Sequence, residues 1–99
     1  MEKETLKKEI IKIADKWLKD KHLKVFFFGS RISGADNSRS DIDIGVESDN
    51  EIAPYIMGEI KDELSNLKIL QKFDIVDFKN ADDAFKKVAL KNIEVIYER

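Results

Sequence analysis

The sequence has no cysteine, one proline, one histidine and four glycines in 99 residues, and each scarcity excludes something. Without cysteine there is neither a disulfide framework nor a thiolate metal site, a usage that fits an intracellular protein. The lone histidine, His22, lies in the polar connection Asp20-Lys21-His22. One imidazole builds no metal site, so His22 reads as a solvated linker residue. So little proline and glycine leaves no candidate linker, no stretch is repeated or compositionally biased, and residues 1–99 read as a single domain. No apolar run approaches the roughly 20 residues needed to cross a bilayer. The charged start Met1-Glu2-Lys3-Glu4 lacks a signal-peptide core, so the expected location is the cytoplasm, without membrane attachment. An excess of one charge is missing as well: 18 basic and 20 acidic residues give a net charge of −2, which argues against a general nucleic-acid binder.

What is present is strongly patterned. Residues 1–24 carry eight lysines against five acids, whereas the remainder carries ten basic residues against fifteen acids. This division predicts a solvated, Lys-rich first helix and an acidic remainder. Leu6, Ile10, Ile13 or Ala14, and Trp17 recur every three or four positions, which predicts an amphipathic helix over 3–20 with Trp17 as a core anchor. Residues 24–28 end in Phe26-Phe27-Phe28 and read as a buried strand. Gly29-Ser30 then supplies the small residues of a sharp strand-to-helix turn, followed by a short helical stretch to about Ser33 and a polar, turn-rich loop from Gly34 to Ser40.

Residues 40–47 alternate strictly. Ile42, Ile44 and Val46 fall on one face of a half-buried strand, and Asp41, Asp43 and Glu47 on the other. Ile52, Ile56, Ile60, Leu64 and Leu67 predict a second long helix from about Pro54 to Leu67, packed beside the first. Gly58 within it is a local weakness. Residues 72–78 read as the next strand, Asn80 or Asp82 opens a third helix containing Ala84, Phe85, Val88 and Ala89 and ending near Asn92, and residues 93–97 form a short edge strand. The result is an α/β (α+β) chain with a small mixed sheet of three to four strands flanked by helices.

The chemistry concentrates at the first turn and the alternating strand. Two carboxylates on a rigid backbone suit a hard cation such as Mg²⁺, which takes one or two protein carboxylates and fills its other positions with water and phosphate oxygens. Backbone N–H groups at a helix start, the Ser30 hydroxyl and Arg31 can hold phosphate oxygens. Cation on one side and donors on the other would clamp a nucleoside triphosphate. A later strand offers two further carboxylates, Asp74 and Asp77. Positions three apart point to opposite faces, so at most one of them joins Asp41 and Asp43 without a bulge.

Gly29-Ser30, ten residues, then Asp41-Ile42-Asp43 resembles the signature of the polymerase-β-like nucleotidyltransferases. With Arg31, Gly34 and Ser40 in company and about a hundred residues in all, the chain is similar to the minimal nucleotidyltransferases, often the partners of HEPN-type helical proteins. The resemblance implies the nucleotidyltransferase fold, ATP as donor, and two Mg²⁺ ions held by Asp41, Asp43 and Asp74. Asp74 is preferred to Asp77 because Asp74-Ile75-Val76 matches the family's Asp followed by two aliphatics. Gly29, Ser30, Arg31 and Arg39 would bind phosphate, with a solvated loop role for Arg39 equally open.

Val95-Ile96-Tyr97 occupies the place of the family's tail motif, where Tyr97 supports core or interface rather than catalysis. The resemblance further implies an antitoxin that transfers AMP to a tyrosine hydroxyl of a HEPN-type toxin, the acceptor site being completed by that partner or by a homo-oligomer. Two other readings stand beside it. One is a non-catalytic module that neutralises a helical partner by complex formation, and the other is nucleotide transfer to a small molecule.

Overall fold

The computed structural model describes residues 2–29, 41–69 and 71–99. Its elements run α1 (Lys3–Trp17), β1 (Leu23–Phe28), β2 (Ile42–Ser48), α2 (Pro54–Ser65), β3 (Phe73–Asp77), α3 (Asp83–Ala89) and β4 (Ile93–Glu98). The strands form one sheet in the order β3-β2-β1-β4. β1 is antiparallel to both β2 and β4, while β2 and β3 are parallel, so the sheet is mixed. The parallel strands β2 and β3 are connected through α2, as a parallel pair requires a crossover.

The alternation in β2 fixes which face is which. Ile42, Ile44 and Val46 are buried with Leu6, Ile10, Ile13 and Ala14 of α1, Ile60 and Leu64 of α2, and Ile75 of β3. Both long helices therefore cover one face of the sheet. β1 is buried on both faces: Val25 and Phe27 join that core, while Phe26 and Phe28 point the other way into a second cluster with Phe78. A strand apolar on both sides must be covered on both sides, and α3 supplies the second cover through Ala89 and Phe85.

Element ends differ from the periodic reading by one to three residues, with identifiable causes. α1 stops at Trp17 rather than 20 because Leu18 turns extended and buries its side chain. Just beyond the helix the Arg99 guanidinium donates to the Leu18 carbonyl and, at 3.0 Å, to that of Asp20. α2 closes at Ser65, and Leu67 packs on the core from beyond the helix. α3 starts where Asp82 accepts the Phe85 amide at 2.8 Å and ends at Ala89, three residues short of Asn92.

Trp17 is half-buried at the edge of the core, with its indole N–H donated to Glu63 of α2, as an anchor with a polar tip should be. Tyr97 packs against the α1–α2 core and donates its hydroxyl to Asp15 at 3.1 Å, which places it in the structural framework. His22 is exposed and pairs with Asp49, its amide and its Nδ1 lying 3.1 and 3.2 Å from the two carboxylate oxygens.

Candidate active site

The face of the sheet opposite α1 and α2 carries the carboxylates, and strand parity puts them there. Because Ile42 and Ile44 are buried against the helices, Asp43 between them projects from the other face. On β3, Phe73 and Ile75 face the helices, so Asp74 projects with Asp43. The parallel register pairs Asp43 directly with Asp74. Asp41 is exposed just before β2 and shares the parity of Asp43. Two of the three expected carboxylates are thus direct neighbours across adjacent strands and the third flanks them.

Asp77 is occupied elsewhere. One of its carboxylate oxygens accepts the Ile52 amide at 2.8 Å and the other accepts the Lys79 amide at 3.0 Å. It ties the turn before α2 to the end of β3 and is a structural carboxylate.

Gly29 completes the described part of the arrangement. Its φ is +80°, a backbone region that favours glycine. A Cβ there would lie 2.4 Å from Oδ2 of Asp43, so the backbone of the turn lies directly against the carboxylate. Phe28, just before it, is the register partner of Asp43 across β1 and β2. The first half of the Gly-Ser signature and the Asp-x-Asp strand therefore meet in space. Ser30, Arg31 and Arg39, expected to bind phosphate, lie outside the described residues, as do the helical stretch to Ser33 and the loop to Ser40.

The electrostatics follow from crowding like charges on a partly buried position. Burial pushes the Asp43 carboxyl above the usual carboxylate range, and the charges of Asp74 and then Asp41 push it further. Among the described residues no Lys or Arg forms an ion pair with any of the three. The described residues contain no group of three or more His, Asp or Glu side chains that could by themselves hold a metal ion. An oxygen donor set of one or two adjacent carboxylates, without a counter-charge among the described residues, fits a hydrated Mg²⁺ that would complete its shell with water and phosphate.

One component escaped the sequence reading. Gly45, two residues after Asp43 on the same face, is roofed by aromatic rings: a Cβ there would lie 2.4 Å from the Phe26 ring and 2.7 Å from that of Phe78. The signal available was an isolated glycine inside a strand pattern, which marks close approach by another group. It puts an aromatic cluster on the same sheet face as Asp43, next along β2.

Gly29 with positive φ thus lies against Asp43, which is paired with Asp74 on the sheet face opposite α1 and α2. A family model described as polymerase beta, nucleotidyltransferase, matches residues 7–99, and the chain belongs to that family. No sequence among the curated proteins matches it. Solved structures share its architecture. A tri-AMPylated Shewanella oneidensis HEPN toxin in complex with an MNT antitoxin matches with a TM-score of 0.74 and 22% identity over 96% of this chain and 71% of that one. A toxin–antitoxin structure with AMP-PNP gives 0.79 and 23% over 94% and 73%. The toxin–antitoxin pair MntA-HepT gives 0.75 and 18% over 98% and 74%. At these identities the likeness is one of fold.

Proposed function

We propose that this chain is a Mg²⁺-dependent nucleotidyltransferase that moves AMP from ATP to a tyrosine hydroxyl of a HEPN-type toxin and so acts as an antitoxin. The observation that carries the reading is the pairing of Asp43 with Asp74 across β2 and β3, with Gly29 packed on the Asp43 carboxylate. Family membership supports nucleotidyl transfer, and the AMP-PNP and tri-AMPylated complexes of similar fold support the donor and the acceptor.

In this reading Asp41, Asp43 and Asp74 would hold Mg²⁺, which when bound would supply positive charge for the triphosphate and for a deprotonating acceptor hydroxyl. The backbone at Gly29, with Ser30 and Arg31 next in sequence, would hold the phosphate oxygens, and Arg39 would add a further positive charge. Rigid strands keep the carboxylates in place so that the acceptor oxygen meets the α-phosphorus in line with the departing pyrophosphate. The acceptor oxygen forms the new P–O bond, the bond to the β-phosphate breaks, and the hydroxyl proton leaves to solvent.

Transfer of label from α-labelled ATP to a HEPN-type partner tests this at the residues. Asp43→Ala and Asp74→Asn should each lower labelling by at least about 100-fold, the scale expected when charge stabilisation in the transition state is lost. Asp77→Asn should label at the wild-type rate per folded molecule. Equal labelling by wild type and Asp43→Ala would reject catalysis. Neutralisation of the partner without any label would instead identify a binding module.

A further inference from the structure

The aromatic cluster beside the carboxylates has no part in the chemistry above. The Phe26 and Phe78 rings stand 4.9 Å apart in an edge-to-face arrangement, and Phe28 meets Phe78 in the same way at 5.3 Å. All three are buried. Phe85 of α3 caps them from outside, perpendicular to Phe28 at 5.9 Å and tilted against Phe78 at 5.6 Å. It keeps 38% of its surface exposed.

The wall has a definite position. Asp43 has Asp74 on one side and Phe28 on the other, each as a direct strand neighbour. A ligand whose phosphates rest at the carboxylates therefore has this carbon wall on one flank, and Phe85 is its one member with substantial exposure. Its main chain is anchored, since its amide is the one that the Asp82 N-cap holds at 2.8 Å.

We propose that Phe85 is the platform on which the base of the nucleoside triphosphate packs. The inference rests on the nucleotide reading above and adds how the nucleoside is recognised. An aromatic face contributes stacking, which every base offers, rather than hydrogen bonds that read a base edge. The site should therefore prefer nucleoside triphosphates strongly over inorganic tripolyphosphate, and discriminate only weakly among bases, with purines ahead of pyrimidines.

Calorimetric titration of the full chain with ATP and with inorganic tripolyphosphate, each with Mg²⁺, tests this. Phe85→Ala should weaken ATP binding roughly 5- to 100-fold while tripolyphosphate binding stays at the wild-type level. Phe85→Tyr should bind ATP as wild type does. Phe85→Leu keeps most of the bulk under the cap and should also lose the preference for ATP, which guards against a fold defect in the alanine variant. Unchanged ATP affinity in Phe85→Ala, or an equal loss for both ligands, overturns the proposal. If wild type transfers AMP and Asp43→Ala does not, that failure is confined to the base platform. Wild type that binds neither ligand removes the platform and the nucleotide reading together.

Discussion

At the scale of single residues the site is defined by a carboxylate held where its charge is disfavoured. The folded state raises the Asp43 pKa through burial, Asp74 and Asp41, in that order. A carboxyl whose folded pKa lies above its unfolded value stabilises the fold below the unfolded value, and that contribution is lost as pH rises through the folded pKa. Without divalent cation, Asp43→Asn should therefore melt above wild type at pH 7. The advantage should shrink as pH falls through the folded pKa and vanish well below the unfolded value of about 4, where the wild-type carboxyl is protonated in both states. Melting curves in chelator at the two pH values measure this, and a pH-independent difference would contradict the electrostatic account.

Asp41 and Asp43 were legible in the sequence because strict alternation places them opposite a buried isoleucine face. Choosing Asp74 over Asp77 needed the family pattern, since parity alone says only that the two differ. The β2·β3 register decides which one stands beside Asp43. The two amides that occupy Asp77, from Ile52 and Lys79, are invisible in a linear pattern.

At the scale of elements, what could be read locally was read well. The stripes of α1 and α2, the proline at the start of α2 and the Asp82 cap all act within a few residues of themselves. What could not be read is set from far along the chain. The carbonyls of Leu18 and Asp20, just beyond α1, are bound by Arg99, and the roof over Gly45 is built from rings on β1 and just after β3.

α2 also contains a local weakness with no packing reason. A Cβ at Gly58 meets nothing within 4 Å. Gly58→Ala should therefore stabilise the fold by about 0.5–1 kcal/mol, read as a higher urea midpoint at unchanged slope. A lower midpoint would mean that the open space is needed by the fold.

At the scale of the molecule the sheet divides the labour. One face is closed by α1 and α2 into the main core, and the other is left to α3, the aromatic cluster and the carboxylates. Lysines of α1 contribute to closing the first face: Lys3 and Lys7 reach Glu94 of β4 at 2.6 and 2.8 Å, and Lys16 reaches Glu63 of α2 at 3.1 Å. Exposed pairs of this kind each contribute about 0–1 kcal/mol, so the apolar core carries most of the stability. The fold can thus tolerate repelling carboxylates on its second face, where nothing in the core depends on them. No helix among the described residues is long and apolar enough to cross a membrane.

The central claim is that those carboxylates form one site for nucleotidyl transfer to a protein hydroxyl. It is tested most directly by the intact mass of a HEPN-type partner purified after coexpression with this chain. The account predicts a gain of one or more AMP units with wild type and an unmodified partner with Asp43→Ala. An unmodified partner in both cultures, or the same adduct in both, would contradict it.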